Sequence, residues 1–326
     1  MTIAALYPLA FEPIFQSMIW GGRRLPGLFG RGDCFEPIGE AWVLSDVDGQ
    51  PSRVINGPLA GWSLRELLAR FGDRLVGPAK LAQGRFPLLL KFIDAARELS
   101  VQVHPNDEQA RRVSPTAVGK TEAWVILDAC SETSRIYAGF RPGVDAEQFR
   151  IALQQRRSAE TLHAFTPQAG DCIFLPAGTV HAIGANVLLF EVQQTSDITY
   201  RLYDWDRVDA KTGRPRELHI DEGLSCSDFS RGPCQPVQPR VLGNCRYRRE
   251  LLVGCEQFSL QRITTDIPVS VGEAGRCRVV VGVAGTGILA GQSFGLGSVV
   301  LIPAEIGAVH FVPDGSATIL ECGLPE

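Results

Sequence analysis

The sequence predicts a mainly β protein built as two barrels, with a small helical portion attached to the first. Three observations predict this class. Short runs of Val, Ile, Leu, Phe and Thr recur between turn residues, and the 326-residue chain has 34 glycines and 21 prolines to punctuate them, which is the pattern of an all-β barrel or sandwich. The few helical patterns do not alternate with strands in βαβ order, which disfavours a doubly wound sheet. Finally, the stretch from Gly297 to Ala304 echoes the stretch from Gly170 to Ala177 class by class, as one architecture used twice would do.

Helix signals are few. Ser63-Leu64-Arg65-Glu66 is a capping box ahead of Leu67, Leu68 and Phe71. Asn106 opens a short helical stretch after Pro105, and Asp145 can cap a helix carrying Phe149, Ile151 and Leu153. The strand runs are Phe86 to Phe92, Ala123 to Leu127, Cys172 to Leu175 and Val187 to Val192. A polar, proline-rich stretch from Ser227 to Pro239 lacks periodicity. It predicts a boundary between a catalytic metal-binding domain, 1–240, and a second barrel, 241–326. In the echo of the repeat, His181 falls opposite Ala308, with His310 two positions off, so the second barrel is expected to be metal-free.

Composition narrows the function. With 32 basic and 36 acidic residues the net charge is −4, and there is no basic stripe to neutralise a nucleic-acid backbone. No apolar run is long enough to cross a bilayer, and the first residues lack a basic segment ahead of their apolar ones. Nine scattered cysteines form no C-x-x-C pair, which reads as reduced thiols in a cytoplasmic protein and argues against a thiolate zinc site. A small molecule is the expected partner, with neither nucleic acid nor membrane, for a monomer or homodimer.

The chemistry concentrates in four places. In Leu99-Ser100-Val101-Gln102-Val103-His104-Pro105, strand alternation points Gln102 and His104 to one side and Val101 and Val103 to the other. Glu122 follows in Gly119-Lys120-Thr121-Glu122, whose likeness to a phosphate loop fails because Ser114 stands where that loop needs glycine. His181 closes a glycine, five residues, Pro-x-Gly, two residues, histidine pattern that begins at Gly170. Alone, His181 reads as a hydrogen-bonded core histidine; with Gln102, His104 and Glu122 the better reading is a metal site. Two imidazoles, a carboxylate and an amide oxygen suit Zn²⁺, Fe²⁺ or Mn²⁺ alike. In the fourth place, Glu191 and Gln193 share a strand face, and Arg201 and Arg207 are available for an anionic group, although Asp197, Asp204 and Asp206 are ready partners.

Pro13 to Gly22, Lys91 to Asp107, Gly119 to Trp124 and Pro176 to Arg207 together resemble the type I phosphomannose isomerase family of the cupin superfamily, in its short bacterial form. The resemblance covers roughly residues 11 to 207. It implies one Zn²⁺ on Gln102, His104, Glu122 and His181. It also implies Arg201 as a catalytic or phosphate-orienting arginine, Glu191 as a proton-transfer group, and Trp20, Lys91, Ser100, Lys120 and Arg207 around the substrate. The implied reaction is the metal-assisted interconversion of mannose 6-phosphate and fructose 6-phosphate through a cis-enediol. Glu191 is the candidate base; a metal-bound water, or Lys120 acting as acid beside another base, fits the sequence equally well. The rival readings are another metal-dependent cupin enzyme and a non-catalytic sugar-phosphate-binding cupin. Larger family members insert a helical domain between the glutamate and the second histidine. Here that interval is short, so a more open cleft is expected.

Overall fold

Strand follows strand in the computed structural model, which describes residues 5–32, 36–209, 212–243 and 246–326. The start of the chain and the expected thiols Cys34 and Cys245 lie outside the described residues; the seven described cysteines are free. All three expected helices form, each with the cap that its sequence calls for. Ser63 accepts from Glu66 N at Leu64–Phe71, Asn106 from Gln109 N at Asp107–Val113, and Asp145 from Gln148 N at Ala146–Gln154, and each is a reciprocal capping box. Such caps satisfy amides that the first helical turn leaves without partners.

The described chain divides into two compact units. Residues 15–41 and 92–236 make one; residues 5–14, 42–91 and 237–326 make the other. A single cut at 240 does not reproduce them. Leu9–Ala10 pairs antiparallel with Val299–Ile302, and Arg74, next to the Leu64–Phe71 helix in sequence, ion-pairs with Glu305. The N-terminal third thus lends a strand and helices to the C-terminal unit, which no local change in composition announces.

In the first unit, a five-stranded sheet runs in the order Leu162–Phe165, Ile136–Phe140, His181–Ile183, Val101–Val103, Tyr200–Tyr203. A second sheet of this unit sets Glu122–Ala129 between Cys172–Leu175 and Val187–Gln194. Trp20, Leu99, Trp124, Ile136, Ile173 and Leu189 belong to one buried cluster of this unit. Val101, Val103, Phe140, Phe149, Leu162 and Leu202 belong to another. Complete burial of Phe149 contributes roughly 1.5–3 kcal/mol, and its ring meets Phe140 edge-on at 4.9 Å. Ile151 of the same helix is exposed, because two positions from Phe149 is about 200° around a helix.

The helix Ile220–Cys226 was not anticipated, since Gly223 in its middle lowers helix propensity by about 1 kcal/mol. A Cβ at Gly223 would lie 2.5 Å from Leu202 Cδ2, so the glycine lets the helix lie close on the Tyr200–Tyr203 strand. Tertiary packing overrides propensity there.

In the second unit, a seven-stranded sheet and a four-stranded one accompany a core that includes Ile263, Val280, Phe294, Ile302 and Phe311. The sequence echo is structural: Gly170 (φ 92°) and Gly297 (φ 86°) both take the left-handed turn before the strands Cys172–Leu175 and Val299–Ile302. Ala308 and His310 are both exposed.

Candidate metal centre

Register builds the site. Val101–Val103 is flanked by His181–Ile183 and Tyr200–Tyr203, and Gln102 lies opposite both His181 and Arg201. Directly opposed residues of antiparallel strands share a face, so Gln102, His181 and Arg201 form a row, while Val101 and Val103 are fully buried in the core behind. On the other sheet, Glu122 lies opposite Gln193 and Trp124 opposite Glu191. Gly178, at φ 86°, turns the chain between the two sheets and donates its N–H to His104 O at 2.8 Å.

His104, Glu122 and His181 are 2, 0 and 1% exposed. One ligand atom from each lies within 4.8 Å of the others, and this is the group of its kind found among the described residues. His104 Nδ1 is 2.9 Å from Ile198 O, and His181 Nδ1 is 2.9 Å from Thr179 O. A carbonyl oxygen only accepts, so each imidazole carries its proton on Nδ1 and aims the Nε2 lone pair inward. Burial pushes the His181 pKa down to about 4, which keeps the ring neutral.

Those lone pairs meet a carboxylate. His181 Nε2 is 3.2 Å from Glu122 Oε1, and His104 Nε2 is 3.6 Å from Glu122 Oε2. With no proton available to share across those contacts, the arrangement asks for a cation. The Lys120 ammonium meets part of the demand, at 2.7 Å from Glu122 Oε2 and 3.0 Å from His104 Nε2. Nitrogen and oxygen donors at these separations fit around one divalent ion bound at about 2.0–2.2 Å. The Gln102 amide lies against the same point, with its Nε2 3.2 Å from His181 Nε2; turning the amide over places its oxygen there. The residues present therefore fit a divalent metal.

Around this cluster, Glu191 is 2% exposed and accepts a 2.7 Å hydrogen bond from Trp124 Nε1. The Trp124 ring also meets His181 edge-on at 5.4 Å. Arg201 donates from NH1 to Glu217 O at 2.9 Å, and its backbone N–H to His219 Nδ1 at 3.3 Å. Its Nε is buried with no acceptor among the described residues. Burial first, and then Arg216, draw its pKa below the ordinary guanidinium value.

Of the remaining expected residues, Ser100 touches Gln102, and Trp20, Lys91 and Arg207 have surroundings of their own. Ser100 is buried, its Oγ 3.5 Å from Gln102 Oε1. Trp20 packs in the hydrophobic cluster with Trp124. Lys91 belongs to the other unit, buried with its ammonium 6.0 Å from the Trp42 ring. The Arg207 guanidinium is engaged by Asp204 and by Glu98 O; of the three aspartates expected as partners, Asp204 is the one that holds it. Sequence reasoning missed Trp124, Glu217 and His219 as supports. Trp124 had a signal, since it stands two residues beyond Glu122 on one strand; Glu217 and His219 had none.

Fold and site together define a cupin: a two-barrel β protein with a histidine and carboxylate centre inside one barrel. A family model described as "Phosphomannose isomerase type I, catalytic domain" matches residues 9–123. The mannose-6-phosphate isomerase ManA of Bacillus subtilis (strain 168) is 41% identical over 217 residues, 67% of either chain. The mannose-6-phosphate isomerase of Streptococcus mutans serotype c is 38% identical over 220 residues, 67% of this chain and 66% of that one. The crystal structure of a mannose 6-phosphate isomerase from Bacillus subtilis superposes with a TM-score of 0.88 at 27% identity, covering 98% of this chain and all of that one. The chain belongs to the type I phosphomannose isomerase family.

Proposed function

We propose that this protein is a mannose-6-phosphate isomerase that interconverts mannose 6-phosphate and fructose 6-phosphate. The observation that carries this reading is the convergence of His104 Nε2, His181 Nε2 and Glu122 in one buried place, with Arg201 in line across Gln102.

The open-chain aldose must lose the proton on C2 and gain one on C1, while its aldehyde oxygen takes a proton and its C2 hydroxyl gives one up. Glu191 is the base in this reading. Trp124 Nε1–H holds one carboxylate oxygen at 2.7 Å, which fixes the position of the group. Arg201, with a buried Nε donor and a guanidinium anchored on Glu217 O, binds the anionic end of the sugar phosphate or an enediolate oxygen. Lys120 is the second cation and a proton donor to the developing oxyanion. A divalent ion held by His104, His181, Glu122 and the Gln102 amide supplies a fixed positive charge beside the oxygens on which charge develops. Zn²⁺ is our assignment; its donor set also suits Fe²⁺ and Mn²⁺. Ser100, which touches Gln102, has a supporting part. Trp20, Lys91 and Arg207 are retained as substrate residues on the resemblance alone. No helix among the described residues is long and apolar enough to cross a membrane, and we place the protein in the cytoplasm as a monomer or homodimer.

The test is turnover of mannose 6-phosphate to fructose 6-phosphate by purified protein as isolated, after chelation, and after separate return of Zn²⁺, Fe²⁺ or Mn²⁺. Activity lost on chelation and restored by an ion is expected. Inactivity with every ion, alongside sugar-phosphate binding, would replace the isomerase reading with that of a binding cupin.

A further inference from the structure

Behind the strand that carries Arg201 lies a cavity of ≈ 370 Å³ in which Arg207 is the one lining residue that the isomerase reading also names. It is walled by the C-terminal part of Ala146–Gln154, the back of Tyr200–Tyr203, and residues 204–207 and 215–220. Four arginines line it, Arg150, Arg156, Arg207 and Arg216, against two lining carboxylates, Asp204 and Asp206. Leu153, Leu202, Tyr203 and Leu218 make its apolar walls. The volume is within the roughly 300–1,000 Å³ of small-molecule sites, and apolar walls with a few convergent polar groups are their usual lining.

The charges are arranged to take an anion. Among the described residues, Arg207 and Arg216 share the single, buried carboxylate of Asp204, so two guanidiniums there face one carboxylate. At the rim, Arg150 and Arg156 make solvent-exposed pairs at 3.3 Å, with Asp221 and Asp206. Exposed pairs of that kind are weak, and both guanidiniums can exchange them for a phosphate, which they bind bidentately.

Backbone strain marks the same place. Trp205 and Asp206 both have positive φ, 56° and 55°, and Arg207 N–H closes the turn on Asp204 O at 3.1 Å. A turn of this type ordinarily takes Asn-Gly. Here a tryptophan and an aspartate are held in it by Trp205 Nε1 on Leu99 O at 2.6 Å and by the grip of Arg207 on Asp204. Arg156, across the rim, is also at positive φ, 59°. Strained residues cluster at ligand clamps because something else in the structure over-determines them.

The cavity also shares a wall with the catalytic apparatus. In residues 215–220, Pro215, Arg216, Leu218 and Ile220 line the cavity. Glu217 and His219, set between them, clasp Arg201: Glu217 O accepts from its guanidinium at 2.9 Å, and His219 N–H donates to Arg201 O at 2.7 Å. We propose that this cavity is a second binding site, for a mononucleotide or similar small phosphate with a planar apolar body, and that filling it resets Arg201 through residues 216–219. The binding half stands on the cavity alone; the effect on turnover rests on the isomerase reading.

The experiment is calorimetric titration of the metal-loaded protein with AMP as probe, and with adenosine and inorganic phosphate as its two halves, for the native chain and for the double variant Arg150→Gln, Arg156→Gln. One AMP per chain is expected. Adenosine and phosphate alone should each bind at least about tenfold more weakly, and the double variant should lose at least about tenfold in AMP affinity with unchanged thermal midpoint and unchanged turnover in the absence of AMP. AMP should shift KM or kcat for mannose 6-phosphate in the native chain and not in the variant. No heat with AMP, or equal binding by the double variant, overturns the site. Binding without any kinetic shift overturns the coupling to Arg201. Because heat is read independently of turnover, an inactive protein would refute the isomerase reading and still decide this one.

Discussion

Replacing Trp124 by Phe keeps a ring in the core and removes an N–H that holds Glu191. The indole nitrogen is 2.7 Å from Glu191 Oε2, both residues are buried, and they face each other directly across two strands. A buried hydrogen bond to a charged group contributes about 1.5–3 kcal/mol. If Glu191 moves the proton, loss of that bond should lower kcat by about 10- to 150-fold, with KM changed by no more than about threefold, since Trp124 bonds Glu191 and packs on His181, neither of them assigned to the phosphate. The smaller ring also leaves space beside His181, whose ring centroid is 5.4 Å away, at a stability cost of roughly 1–2 kcal/mol, below that of a full truncation. The assay is initial-rate conversion of mannose 6-phosphate by fully metal-loaded protein, with metal content and urea midpoint measured on the same samples. A double-mutant cycle with Glu191→Gln separates positioning from packing: in the Gln background Trp124→Phe should cost no more than a few-fold. An equal loss in both backgrounds, or a single variant within threefold of the native kcat, would refute the assignment of Trp124 as the residue that positions Glu191.

Two further outcomes follow from the site. Arg201→Lys keeps the charge and removes the planar fork that joins Glu217 O to the buried Nε donor; kcat/KM should fall by about 100-fold with metal content unchanged, and a loss of bound metal instead would place Arg201 among the supports of the centre. In metal-free protein, His181 has a folded pKa of about 4 against 6.5 for an ordinary histidine, chiefly through burial. A depressed folded value means that the unfolded chain takes up the proton first, so stability is fully present above pH 6.5 and is lost as pH falls toward 4, by roughly 3 kcal/mol in all. Urea unfolding at pH 7, 6 and 5 reads that slope. A His181→Asn protein with the same slope would show that the proton is taken up elsewhere.

Local rules carried much of this molecule. Helix starts at Ser63, Asn106 and Asp145 follow from side chains that reach amides three residues on, and the face shared by Gln102 and His104 follows from strand alternation, so both can be read from neighbouring residues. The candidate ligands His104, Glu122 and His181, which the folded chain brings together, could likewise be named from residue type, because donor chemistry belongs to the side chain and the turns at Gly170 and Gly178 belong to glycine. Other features required distant segments to meet. Cross-strand register set Arg201 opposite Gln102 and Trp124 opposite Glu191, a matter of sheet pairing that no window of sequence contains. Long-range pairing also gave Leu9–Ala10 to the C-terminal unit, and close packing on Leu202 let a helix form through Gly223. Arg207 shows the division most plainly. Its charge and a partner three residues back, Asp204, were evident from the sequence, but only the folded chain brings Arg216 and Glu98 O to the same place, because partners far apart along the chain are chosen by three-dimensional proximity.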